Sequence, residues 1–362
     1  MTPRRKTITG IAVALAVSAW LTGSATGAFT RANNTIENAV FHKVITANGT
    51  YEGDLKDGMF QGNGVFTYAT GDTITGIWAD GELSGDGNGK YSGKGTYKGQ
   101  YKDEKRSGQG VMTYENGDTY DGEWADDQYS GQGTYTWKNG NIYSGEWHDG
   151  QFNGKGTYTY AKTGSFTGTF KDSKRVKGKF TWNDGTVYDG TWDGDQMKKG
   201  TLTYKDGSEL KGTFQNNQFD SGSYRIKTTI ASYNIQYKDK QPVSAEILYA
   251  DGSSYRGGYS GDSFSGSAEI TYSNGDSYHG NLANGKKAGE GTYIWADGSS
   301  YSGGWAGDQM SGQGTYVYAG DSGASLSGTF VNGVPNGNCT YVTQSGSHAT
   351  QWHDGTCTAV NW

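Results

Sequence analysis

The sequence predicts an all-β protein, an elongated single-layer antiparallel sheet of stacked β-hairpins about 23 residues each. Three observations lead there. Aromatic residues return at a fixed interval: Tyr97, Tyr120 and Tyr143 are each 23 residues after the last. Glycines return with them. Short runs such as Thr157-Tyr158-Thr159-Tyr160 alternate with the two-residue period of a strand. Composition agrees, because 61 glycines and 27 tyrosines against a hydrophobic fraction of 33% leave no aliphatic runs for a helical or parallel-sheet core.

Residues 1–30 stand apart. Arg4, Arg5 and Lys6 precede an uncharged stretch whose most apolar part is Ile11 to Leu21, and small residues follow up to Ala28. That order is expected of an export signal peptide cut near Gly27 or Ala28, or of a signal anchor retained in the membrane. Either way the chain is expected outside the cytoplasm, secreted or held at the cell membrane by this segment. Residues 31–48 have no clear period and read as an N-terminal cap or linker. Thirteen repeats then fill 49–347, and a truncated capping repeat, starting at His348, occupies 348–362.

Within a repeat, a bulky residue stands four places after the first aromatic, and the best of these are Trp78, Trp124, Trp147, Trp192, Trp305 and Trp352. An even separation puts both on one face of a strand. Glycine sits between them at Gly53, Gly76, Gly99, Gly122, Gly145, Gly168, Gly190, Gly212, Gly257, Gly280, Gly303 and Gly328. Its missing side chain lets a ring lie against the backbone. Asn116-Gly117, Asn139-Gly140 and Asp297-Gly298 are read as the tight hairpin turns, and Ala125 to Gly131 as a longer loop at the other end. Gly131-Gln132-Gly133 is then punctuation between strands. The column Asp57, Asp80, Asp103, Asp126, Asp149 and Asp172 is accounted for by carboxylates accepting backbone N–H bonds.

This pattern resembles the MORN repeat (membrane occupation and recognition nexus), most closely at Tyr120-Asp121-Gly122-Glu123-Trp124 with Gly131-Gln132-Gly133-Thr134-Tyr135, and at Tyr143 to Trp147 with Gly154 to Tyr158. The resemblance spans about residues 49–357 and implies 23-residue hairpins stacked into a twisted sheet. It also implies a scaffold for proteins, sometimes close to a membrane. The pattern degenerates near 233–254: Tyr233-Asn234-Ile235-Gln236-Tyr237 lacks the central glycine, and Pro242 stands in its following loop. This segment reads as a kink in the array, or else a contact site.

Little in the sequence points to a reaction centre. It has no nucleophile elbow, no phosphate-cradling glycine loop before a helix, and no histidine and cysteine spacing of a closed zinc site. No enzyme, cofactor or metal is expected. Cys339 and Cys357 are the only cysteines and form a candidate disulfide, although adjacent hairpins would hold them about 10 Å apart. A formal charge of -6 with no arginine stripe after residue 6 excludes duplex nucleic acid, and the acidic array offers no patch for anionic lipid. Membrane contact would come mainly through the N-terminal segment if uncleaved. The function expected is a non-enzymatic extracytoplasmic scaffold for a protein partner at or near the cell envelope. The alternative is a cell-wall or glycan-binding module using exposed aromatic side chains.

Overall fold

The computed structural model describes residues 43–320 and 323–361, so the expectations for residues 1–30 lie outside the described residues. It divides into two compact units, Met1–Asn183 and Asp184–Trp362. Every regular element among the described residues is a β-strand.

The first unit begins with β1 (Lys43–Thr46), β2 (Gly49–Lys56), β3 (Met59–Tyr68), β4 (Thr73–Ala79), β5 (Glu82–Tyr91), β6 (Gly95–Lys102) and β7 (Lys105–Tyr114). It continues with β8 (Thr119–Ala125), β9 (Gln128–Thr136), β10 (Ile142–His148), β11 (Gln151–Tyr160), β12 (Gly164–Lys171) and β13 (Lys174–Trp182). Consecutive strands pair antiparallel in one layer. β1 falls within the segment read as a cap or linker, and it pairs with β2.

The tight turns lie at the opposite end of the hairpins from the expected one. Between β8 and β9, Ala125 pairs with Gln128, so the loop is Asp126-Asp127 alone, with φ of 48° and 68°. A two-residue hairpin loop with both φ positive matches the right-handed twist of its strands, and Asp tolerates that backbone. Asp57-Gly58, Asp80-Gly81 and Asp149-Gly150 repeat it. The aspartate column therefore exists mainly for its backbone. At Asn116-Gly117 only the glycine has positive φ, so the pair cannot form this loop. It sits instead in a wider connection, closed by Tyr114 N–H to Asp118 O at 2.9 Å and Gly117 N–H to Tyr114 O at 3.0 Å.

Gly131-Gln132-Gly133 lies inside β9 rather than between strands. After Gly122 pairs with Gly133 the register shifts, which marks a bulge, and Gly131 takes φ of 57° there. The bulge leaves backbone groups without ladder partners, and side chains take them up. Tyr120 Oη donates to Glu123 O at 2.8 Å, while Glu123 Oε1 accepts from Gln132 N–H at 2.8 Å. The same tyrosine bond recurs at Tyr51, Tyr97, Tyr143, Tyr278 and Tyr301. To reach the bulge the ring must cross its own hairpin's glycine pair: a Cβ on Gly53 would lie 2.6 Å from the Tyr51 hydroxyl, and one on Gly133 would meet the Tyr120 ring.

Tryptophan joins one hairpin to the one before it. Trp124 Nε1 donates to Gly110 O at 3.0 Å, Trp147 to Gly133 O at 3.0 Å, and Trp78 to Gly64 O at 3.2 Å. The Tyr120 ring stands edge-on to Trp124 at 5.1 Å and to Trp147 at 5.3 Å. Tyrosine closes a hairpin and tryptophan stitches it to its neighbour, so a single layer buries its own rings without a second sheet.

The second unit opens with β14 (Val187–Asp193), β15 (Gln196–Thr203), β16 (Glu209–Gln215), β17 (Gln218–Lys227), β18 (Ala231–Lys238), β19 (Gln241–Tyr249), β20 (Ser254–Ser260) and β21 (Ser263–Thr271). β22 (Ser277–Ala283), β23 (Lys286–Ile294), β24 (Ser300–Ala306), β25 (Gln309–Val317), β26 (Ser325–Val331), β27 (Val334–Thr343), β28 (Gly346–His353) and β29 (Thr356–Asn361) follow. Consecutive strands again pair antiparallel.

The degenerate segment holds a register slip. Elsewhere the glycine and tyrosine of one hairpin face those of the next, as Gly133 faces Gly145 and Tyr135 faces Tyr143. By that rule Gly222 would face Ile235. Instead Gly222 faces Tyr237, Tyr224 faces Ile235 and Ile226 faces Tyr233, a displacement of two residues. Ile235 stands where other repeats have glycine, and at those positions a Cβ meets the partner strand at once. That partner is the second strand of the same hairpin, where Ile235 faces Ala245, so the slip against β17 does not relieve it; the slip keeps every side chain on its own face, because two is the strand period. Pairing is regular again where Ile247 faces Tyr255.

Candidate interaction surfaces

The sheet in each unit has a ring-bearing face and a ring-free face. On the first, Trp78, Trp124, Trp147, Trp192 and Trp305 are between 0 and 7% exposed, so the tryptophans singled out by the repeat are inside. Tyr51, Tyr120, Tyr143, Tyr188, Tyr278 and Tyr301 are also buried. Burial pushes the hydroxyls of Tyr188, Tyr278 and Tyr301 up to about 12. Trp352 is half-buried in β28, and its indole donates to Thr350 Oγ1 at 2.8 Å. A platform of solvent-facing rings, which the sugar-stacking alternative needs, is not what these residues form.

One column of this face held a feature the repeat pattern hides. The residue opposite the Trp position is usually apolar, as at Phe60, Tyr129 and Phe152, but it is Arg106, Arg175 and Lys287 in three hairpins. Arg106 lies 4.3 Å over Trp124 and 5.5 Å over Tyr91, with Nε 2.9 Å from Asp127. Lys287 sits among Tyr272, Tyr278, Tyr293 and Trp305 at 5.2 to 5.9 Å, with Asp308 at 3.6 Å. A cation fills a ring's place because ring faces are electronegative, and for Arg106 and Lys287 the aspartate 21 residues later balances the charge. That Asp spacing was the available signal.

Asp118 and Asp276 are buried at the wider connections. Asp118 accepts from Lys138 N–H at 2.8 Å, Asn116 Nδ2 at 2.8 Å and Tyr135 Oη at 2.9 Å, tying one hairpin's connection to the next. The Lys138 backbone bond, then Asn116 and Tyr135, hold its carboxyl below the usual range against the cost of burial. Asp276 repeats the arrangement, with Tyr293 as the largest cause and Ala296 N–H next.

Cys339 and Cys357 are free thiols. Cys339 is buried opposite Gly328 in β27, and burial pushes its thiol up; Cys357 is exposed on β29, with β28 between the two strands. Among the described residues no three His, Cys, Asp or Glu side chains group to hold a metal ion, and no helix is long and apolar enough to cross a membrane.

The ring-free face is polar and patterned across the strands. Thr113, Thr119 and Thr136 are successive partners, and Ile142, Thr159, Ser165 and Thr181 extend the row. Hydroxyls bond across strands, as Thr134 to Ser144 at 3.0 Å and Thr157 to Thr167 at 3.1 Å. Between two such rows on β4 to β7 lies a groove of about 580 Å³, with Lys90 and Lys98 among its walls. The second unit has a larger one, about 620 Å³, at the slip.

No curated protein matches this sequence. Among solved structures, the TCP10c domain of Drosophila melanogaster Sas-4 is 17% identical over 48% of this chain and 99% of that one, with a TM-score of 0.26. The G-box domain of the microcephaly protein CPAP is 12% identical over 68% of this chain and 100% of that one, with a TM-score of 0.22. A streptogramin B lyase is 11% identical over 60% of this chain and 81% of that one, with a TM-score of 0.14. Likeness at these scores carries no argument. The model for the MORN repeat matches residues 51–73, 87–99, 97–119, 120–142, 143–165, 166–187, 188–209, 255–277, 278–300, 301–322 and 327–348. It passes over 210–254, the stretch that contains the slip. With repeats matched over more than half its length and the repeat's Tyr, Gly and Trp in the roles just described, the chain belongs to the MORN repeat family.

Proposed function

We propose that this protein is a non-catalytic scaffold outside the cytoplasm that binds a protein partner at or near the cell envelope. The observation that carries the reading is the division of labour between the faces. Rings, glycines and bulge bonds are consumed in holding hairpins together, while the exposed face presents similar polar groups at successive strands. A repeated surface binds by adding weak contacts in series, which suits an extended partner. The charged and apolar order of residues 4–28 supports export. Burial of the rings gives the sugar-stacking alternative little support.

The test is crosslinking in the native cell with a C-terminal tag, combined with fractionation. The expected result is an extracytoplasmic protein crosslinked to a defined partner, and loss of that partner when Lys90→Glu and Lys98→Glu reverse charge on the first groove without changing the circular dichroism spectrum. Recovery in the cytosol would overturn the location, and no specific crosslink the scaffold role.

A further inference from the structure

The slip between β17 and β18 shapes the groove on the ring-free face of the second unit. Its floor is the backbone of Ile226, Tyr233, Ile247 and Tyr255, successive partners whose side chains belong to the opposite face. One wall is the transverse row Glu209, Arg225, Asn234, Glu246, Arg256 and Glu269. The other is Lys227, Ser232, Leu248, Ser254 and Thr271. In the regular register Arg225 would face Ser232; the slip places it beside Asn234 and makes the first wall continuous.

That wall is organised before any ligand arrives. Arg256 Nε and Nη2 lie 2.9 and 2.7 Å from Glu246 Oε1, and Asn234 Nδ2 donates to Glu246 Oε2 at 3.3 Å. Three acids, Glu209, Glu246 and Glu269, stand against three bases, Arg225, Lys227 and Arg256. The groove is dense in planar hydrogen-bonding groups and carries no net charge. Leu248, 58% exposed, adds an apolar surface among the hydroxyls of Ser232, Ser254 and Thr271.

We infer that this groove binds an uncharged, extended polysaccharide lying across the strands. A polymer of one charge would meet equal numbers of both signs and gain little net attraction. A peptide adding as a strand needs a free backbone edge, and these strands are paired on both sides. Vicinal hydroxyls of a sugar suit carboxylate, amide and guanidinium planes, and the C–H face of a sugar ring suits Leu248. An extended β-1,4-linked hexose chain advances per sugar by a distance close to the strand spacing of roughly 4.8 Å, so neighbouring sugars meet neighbouring strands. The site is lined by other residues than the first-unit groove and does not use the buried rings.

The full chain is titrated calorimetrically with cellohexaose, with the N-acetylated chitohexaose, and with hexagalacturonate and hexalysine as charged comparators. At least one neutral hexasaccharide is expected to bind. Leu248→Arg, at an exposed position, should weaken it about tenfold or more, Arg256→Ala similarly, and Lys98→Glu in the first unit not at all. Melting temperatures show whether each variant is folded; if Arg256→Ala is not, Leu248→Arg decides. Absence of binding by both neutral sugars, unchanged affinity in Leu248→Arg, or tighter binding of a charged comparator would overturn the proposal.

Discussion

At the scale of single residues, each part of the repeat is defined by what it touches. Trp124 is 3% exposed and its indole holds the Gly110 carbonyl, so Trp124→Ala removes packing and a buried bond together. The expected loss is about 3–5 kcal/mol in chemical unfolding, and a change under about 0.5 kcal/mol would refute the assignment. Gly133→Ala puts a methyl group into the Tyr120 ring and should cost about 1–3 kcal/mol, with near-ultraviolet dichroism showing the displaced ring. Asp118 makes a pH prediction with a definite sign. Its native carboxyl is held below the ordinary range, so its stabilising contribution is present above the unfolded value of about 3.9 and is lost as pH falls through the lower native value. Asp118→Asn should therefore lower the melting temperature at neutral pH and flatten its fall below about pH 4. A variant with an unchanged acid limb would show that the carboxylate does not tie the two connections together.

At the scale of the element, hairpin identity comes from which turn takes the positive dihedral angles. Asn-Gly and Asp-x are both plausible tight turns by composition; the bulge after the repeat glycine decides between them. It fixes the register so that only two residues remain between Ala125 and Gln128. The slip is likewise a matter of register, in which Arg225 meets Asn234 rather than Ser232. It is testable in a chain with Cys339 and Cys357 replaced by serine. Cysteines at Arg225 and Asn234, partners in the slipped register, should crosslink on oxidation. Cysteines at Ser223 and Asn234, partners only in the regular register, should not. The reverse result would restore the regular pairing and remove the groove.

At the scale of the molecule, both units use the same tyrosine environment many times over. Tyr188, Tyr278 and Tyr301 ionise only near pH 12 while folded, because burial disfavours the phenolate. Their raised values mean the stabilisation is intact below about pH 10 and is lost as pH climbs toward 12. Phenolate absorbance should thus include a late stage near pH 12 that coincides with loss of the β-sheet signal. A single stage centred near pH 10 would mean that the rings are open to solvent. The ends of the sheet behave differently. β29 is exposed at all but one of its positions, so its amides should exchange far faster than those of β9 and β10.

The sequence alone determined the strand class, the spacing, the buried face and the glycine column. These follow from a period of two within strands and about 23 between hairpins, which any folded state of this chain must respect. It also marked residues near 233–254 as irregular, since a missing glycine is visible without coordinates. It did not reveal which end of each hairpin is tight, the cations in ring positions, or the slip with its neutral groove. Those depend on register, and register is set by contacts between residues that are adjacent only after the strands have paired.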